Sequence, residues 1–375
     1  MEMETPTWAK QTWEQISGKL YHVAERNQDK IPYTAKDGVF DDMTEENPYW
    51  WTNGFWGGLM WQLYSATGES LYKEAACRNE EKLKKNLMSY HGMDHDSGFK
   101  WLLTAVANYR ITGNEQSMDR GLIAANSLAG RFNPAGRFIR AWNDGGDGQN
   151  AGVVIIDAMM NLPLLYWASE ATKDPRFAEI AIAHADTARR EFVRADGSVH
   201  HIVTFDPQTG KRLKALGGQG YEEGSSWTRG QAWALYGFCL SYRHTGKQEY
   251  LDTARKVADY FVENIPESNL IPVDFRQPKV PAWEDDSAAA IAASGLLEIA
   301  GCLPLEEGQS YRAAAEKLLK ALADHRCNSD PQADYLLERC TAAYHDENHE
   351  YPIIYGDYYF VEGILKLTGQ GRFLW

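Results

Sequence analysis

Ser226–Ile265 reads SWTRGQAWALYGFCLSYRHTGKQEYLDTARKVADYFVENI, two helix-length segments of opposite character joined at Thr245-Gly246. The first is apolar and aromatic almost all the way round, which marks a helix buried on several sides. In the second, Tyr250, Leu251, Ala254, Val257, Ala258 and Phe261 fall on one face and Asp252, Arg255, Lys256 and Asp259 on the other, the pattern of an amphipathic helix. A buried helix, a Thr-Gly-type turn and a surface helix make one unit.

That unit recurs. Segments of the first kind begin at Trp51 (WTNGFWGGLMWQLYSATG), Ser97 (SGFKWLLTAVANYRITG), Ala151 (AGVVIIDAMMNLPLLYWASEATK), Asp285 (DDSAAAIAASGLLEIAGCL) and Gly356 (GDYYFVEGILKLTG). Amphipathic segments such as Glu69–Leu87, Asp174–Phe192 and Gln309–His325 alternate with them, and Thr12–Asn27 precedes the first. The interval of about 45–75 residues is long and irregular, as expected if loops on one face carry function. Strand-type alternation is nearly absent; SVHHIVTFDP with KRLKALGG reads as a small β-hairpin near that face. The expectation is an all-α chain, a single (α/α)6 toroid over residues 1–375 with six inner and six outer helices. An open helical solenoid is the alternative.

Composition narrows the function classes. The chain has 375 residues, 44% of them hydrophobic and 24% charged, which is ordinary globular usage. Its net charge is −14 and no basic stripe is present, which argues against a nucleic-acid partner. No apolar run is long enough to span a membrane, and MEMETPTWAKQTWEQ lacks the basic and apolar regions of a secretory signal. Five scattered cysteines (Cys77, Cys239, Cys302, Cys327, Cys340) suit reduced thiols, so a cytoplasmic location is expected. A homodimer is left open.

In an alternating ring all inner helices run the same way, so their N-termini share one rim. At those starts stand Trp51 with Asn53, Asp96, Asp157, Trp227 with Arg229, Asp285 with Asp286, and Asp357. Helix N-termini facing one funnel favour an anionic ligand such as a carboxylate. Each aspartate is weighed against an ordinary N-cap. Asp96, in HDSGFKW, fits a cap well. Asp157 fits less well: between VVII and AMM it falls inside the first turns, where burial raises a carboxyl pKa toward the range a general acid needs. Trp51, Trp142 and Trp227 are candidate platforms for a sugar ring, whereas Trp56 and Trp61 read as core. Arg229 is a candidate for binding a carboxylate, with His200 and His201 for a second contact.

Two other constellations fail. After Asp94 and Asp96, a calcium loop needs ligands where Gly98 and Ala105 stand. His345 and His349 have the spacing of a zinc pair, but YHDENHEYP reads as a solvated loop. Neither metal nor cofactor is expected.

WTNGFWGG, HDSGF, the AW…GVVIIDAMMNLPLL block, the HxxxFDP stretch at His201, SSWTRGQAW and IYGDYYFVEGILKL, in this order, resemble the unsaturated glucuronyl hydrolases of glycoside hydrolase family 88 over nearly the whole chain. The resemblance implies an (α/α)6 barrel that removes a 4,5-unsaturated uronic acid from the non-reducing end of lyase-generated oligosaccharides. A carboxylic acid protonates C4, water adds at C5, and the hemiketal opens with loss of the glycosidic bond. By position, the resemblance implies Asp157 as acid/base and Asp96 as the second essential carboxylate. Trp51, Trp142, His201, Gln219, Trp227, Arg229 and Trp233 would line the sugar pocket. Relatives that prefer sulfated disaccharides carry Ser and Lys in the loop before the last inner helix. Here that loop is HDENHEYPII, so the resemblance does not carry a sulfate preference over. Alternatives are an unsaturated rhamnogalacturonyl hydrolase, a non-catalytic carbohydrate-binding protein, and a sugar epimerase. The last would need paired histidines at the cavity floor, and the inner helices carry almost none.

Overall fold

The computed structural model describes residues 5–375; Met1–Glu4, part of the stretch read above as leader-free, lie outside the described residues. The inner helices are Phe55–Thr67, a run from Ser97 to Thr112 with a π-type turn at Leu102–Val106, Pro163–Thr172, Thr228–Thr245, Asp286–Gly301 and Ile354–Thr368. The outer helices are Thr7–Asn27, Ser70–Leu83, Glu115–Ala129, Arg176–Glu191, Gln248–Glu263 and Leu305–His325. Each inner helix packs on the next, and Ile354–Thr368 packs back on Phe55–Thr67. That last contact closes the ring and excludes the open solenoid. Thr-Gly turns end four inner helices with a left-handed glycine at 68, 113, 246 and 369.

Aromatic rings fill the axis. Trp51 sits 5.4 Å from Phe99, Phe99 5.1 Å from Trp233, Trp233 5.5 Å from Tyr359, and Tyr359 5.8 Å from Trp375, all between ring centres. Trp375 touches rings from three inner helices, and its indole N–H donates to Glu362 at 2.8 Å. The end of the chain thereby plugs the ring from below. Trp56 and Trp61 are fully buried, as read from the sequence.

The third inner segment departs from expectation. Val153–Ile155 is a strand, Ile156–Met160 a 3-10 turn, and the helix starts only at Pro163. The β-branched run Val-Val-Ile suits an extended backbone, and proline suits the first helical position. The strand pairs antiparallel with Ile202–Phe205, which pairs with Arg212–Leu216. The expected hairpin is therefore two strands of a three-stranded sheet. Among the described residues, no helix is long and apolar enough to cross a membrane.

Candidate active site

The sheet decides where the chemistry sits. Ile155 pairs with Ile202, and the Ile156 N–H donates to the His201 carbonyl at 3.0 Å. Asp157 leaves one strand as His201 enters the other, so the His201 Nε2 lies 3.7 Å from Asp157 Oδ2. Asp96 arrives from the second inner helix. Gly98 permits the approach: a Cβ there would stand 2.5 Å from the Asn161 Cα. Asn161 then joins the two carboxyl-bearing segments. Its side-chain amide donates to Asp96 Oδ1 and to the Asp157 carbonyl, both at 3.2 Å, and its oxygen accepts the Phe99 N–H at 2.8 Å.

The two carboxyls lie on one cavity of about 440 Å³, whose wall includes Trp51, His95, Trp142, His201, Gln219 and Arg229. Burial, followed by the negative charge of Asp96, pushes Asp157 up to about 7. Its Oδ2 is buried with no hydrogen-bond partner. Burial would raise Asp96 as well, but His95, Lys100 and Asn161 outweigh it and hold that carboxyl below its usual range. The His95 Nε2 is 3.3 Å from Asp96 Oδ2. Burial opposes a charge on His95, yet the surrounding carboxylates, Asp96 foremost, raise its pKa. His201 is pushed down to about 3 by burial and then by Arg229, so it is neutral at physiological pH. Its Nδ1 accepts the Gln219 N–H at 2.9 Å, which leaves the proton on Nε2, facing Asp157. The site thus offers a protonated acid, an ionised neighbour and a neutral imidazole donor.

Arg229 is 1% exposed. Its Nη1 donates to Asp285 at 2.5 Å and to the Thr341 carbonyl at 2.7 Å, and its Nη2 donates to the Ala342 carbonyl. Burial disfavours its charge, but Tyr355, Asp285 and Asp157 together keep it firmly protonated. The guanidinium is therefore a fixed positive wall more than a free fork. Gln219 anchors the same loop by donating to the Ala342 carbonyl at 2.8 Å. Asp274 fixes the loop from Gln219 to Trp227 by accepting from Tyr221 N–H, the Ser225 hydroxyl and Ser226 N–H.

Several expectations need correction. Asp96 stands at a helix start but caps no backbone amide; its oxygens go to His95 and Asn161. Asp357 accepts from the Leu336 and Leu337 amides, Asp286 from the Arg339 amide, and Asp285 from the Thr341 amide as well as from Ser287, whose helix it caps, and Arg229. These three pin the loop that covers the last two inner helix starts, so those N-termini do not open into the cavity. Trp233 is fully buried beneath Phe99 and does not line the pocket. Trp227 is 3% exposed and packs, tilted, against His201, ring centres 4.1 Å apart, with the Arg229 guanidinium over its ring. His200 turns away to Arg194. His345 and His349 bond the Tyr221 and Tyr344 carbonyls, and His349 stacks on Trp283. The sequence reading missed His95, Tyr49 and Asn161, and placed Trp50 beside a rim segment without giving it a role. His95 adjoins Asp96 in HDSGF, the one signal available. His95 and His201 both line the cavity, although neither stands on an inner helix.

A closed helical ring with paired buried carboxyls, walled by indoles, defines a carbohydrate-active enzyme. The chain matches the model of Glycosyl Hydrolase Family 88 over residues 23–375. It is 38% identical over 371 residues to an unsaturated glucuronyl hydrolase from Bacillus sp. (strain GL1), covering 95% of this chain and 96% of that one. It is 30% identical over 388 residues to an unsaturated chondroitin disaccharide hydrolase from Streptococcus pneumoniae, covering 100% and 96%. The crystal structure of unsaturated glucuronyl hydrolase from Bacillus sp. GL1 superposes with a TM-score of 0.88 at 36% identity, covering 95% and 96%. The chain belongs to glycosyl hydrolase family 88 and is a glycoside hydrolase.

Proposed function

We propose that this enzyme removes a 4,5-unsaturated uronic acid from the non-reducing end of lyase-generated oligosaccharides by hydrating its C4=C5 vinyl ether. The observation that carries the reading is Asp157, a carboxyl on the cavity wall with a pKa near 7 and an unpartnered Oδ2, beside an ionised Asp96. Asp157 gives its proton to C4, and positive charge develops at C5 and the ring oxygen. Asp96 stabilises that charge. Water then bonds to C5 and yields its proton to the Asp157 carboxylate, which restores the acid. The hemiketal opens and the glycosidic bond is lost. The Nε2–H of His201, held by the Gln219 amide, suits a substrate oxygen.

Relatives support the substrate class. One solved relative carries dGlcA-Glc-Rha-Glc, and another, from Streptococcus agalactiae, is complexed with dGlcA-GalNAc6S. We keep a cytoplasmic location within the proposal, in line with five free thiols; fractionation of the source cells tests it. Homodimer formation is tested by sedimentation.

The deciding experiment follows the ultraviolet band of the conjugated double bond. Wild type should bleach it with at least one unsaturated disaccharide and Asp157→Asn should not. A band unchanged across gellan, chondroitin, hyaluronan and heparin disaccharides would sink the reading. Loss only with an unsaturated rhamnogalacturonyl substrate would redirect it to pectin fragments. An unchanged band with both wild type and Asp157→Asn, each still binding the sugar alike, would indicate a binding protein; equal bleaching by both would remove Asp157 as the acid.

A further inference from the structure

Across Trp142 from Asp157 lies a second cavity of about 610 Å³. The Trp142 side chain belongs to both walls. Met88, Tyr90 and Trp142, all exposed large apolar side chains, gather around it. Single exposed apolar residues carry no message, but three on one cavity make a patch.

Two arginines line the same cavity, and they differ. Arg131 is spent: its guanidinium donates to the carbonyls of Arg140, Met93 and Ala141 and to Asn143 Oδ1. Arg140 is not. Among the described residues its side chain forms no ion pair within 4.0 Å, and its Nε is buried without a partner. A buried N–H left unmade is unfavourable, more so on a charged group. Asp144 completes the wall: its Oδ1 accepts from the Gly146 and Gly148 amides, while Oδ2 is buried and unpartnered. A free guanidinium, a free carboxylate oxygen and two aromatic faces complement the acid group, a hydroxyl and the ring face of an acidic sugar.

We propose that this cavity is a second sugar subsite, taking a further acidic sugar of a longer oligosaccharide whose unsaturated uronate end occupies the Asp96–Asp157 cavity. The inference rests on the function proposed above. Pockets of roughly 300–1,000 Å³ hold ligands of drug size. Each cavity falls in that range.

The test compares wild type, Arg140→Ala and Arg140→Lys on four unsaturated substrates: a disaccharide, and tetrasaccharides whose third sugar is a uronate, sulfated or neutral. Arg140→Ala should raise KM about tenfold for the acidic tetrasaccharides, with kcat unchanged, and leave the disaccharide and the neutral tetrasaccharide as in wild type. Arg140→Lys should recover part of the loss. The uronate and sulfated arms report which acid group the arginine prefers. Equal losses on disaccharide and tetrasaccharides, equal losses on neutral and acidic ones, or no loss at all would overturn the subsite while leaving the hydrolase reading intact. If wild type bleaches no unsaturated disaccharide, the function reading falls and the subsite falls with it.

Discussion

The Asp157 carboxyl titrates near neutrality because burial and the charge of Asp96 both oppose its ionised form. This has a sign for stability. Between the ordinary carboxylate range and about 7, the folded protein keeps a proton that the unfolded chain releases, so stability falls as pH rises through that window, by at most about 4 kcal/mol. Asp157→Asn removes the penalty. Its Tm should match wild type near pH 4 and exceed it at pH 8, while turnover falls by roughly 10²–10⁴-fold; calorimetry and the ultraviolet assay read the two effects. The same carboxyl sets the basic limb of the pH–rate profile. The kcat/KM should decline as pH rises through about 7, and again at low pH as Asp96 takes up a proton. A rate still rising above pH 8 would remove Asp157 as the acid.

At the scale of elements, the site depends on two close approaches, one between helices and one between strands. Asn161 ties the second inner helix to the segment of the third, and its amide favours the ionised form of Asp96. Asn161→Ala should therefore shift the acid limb of the rate profile to higher pH, an effect that mere loosening of the fold would not give. Gly98→Ala puts a methyl against the Asn161 backbone and should cost about 1–3 kcal/mol by overpacking, with activity lost alongside. The strand pair is the other device. It sets His201 against Asp157 through a register fixed at Ile155 and Ile202, although 44 positions separate the two residues in sequence.

For the whole molecule, the axis is filled by aromatic side chains from different helices, closed below by Trp375. Trp375→Ala should cost about 3–5 kcal/mol in stability. Phe99 and Trp233 stand between it and the cavity floor, so kcat/KM well below the melting transition should stay within a fewfold of wild type; denaturant titration and the standard assay check the pair. The loop pinned by Asp285, Asp286 and Asp357 acts at the same scale: it roofs two helix starts that the ring alone would leave open.

The helical ring was legible in the sequence because helix periodicity and turn chemistry are local, and each unit repeats them. Asp157 was legible for a related reason, since a carboxyl within an apolar run is anomalous wherever it sits. The family motifs carried Gln219, which no periodicity marks. What tertiary structure alone decided is how identical residue types divide their labour. Five aspartates at four similar inner-segment starts became an acid, its ionised neighbour, and three clamps for a loop, because only the folded chain determines which backbone amides and cations each one meets. The strand at Val153–Ile155 is equally non-local: its partner lies in another segment, and without that partner VVII reads as helix interior. The free Arg140 likewise became visible only once the carbonyls claimed by Arg131 were in place.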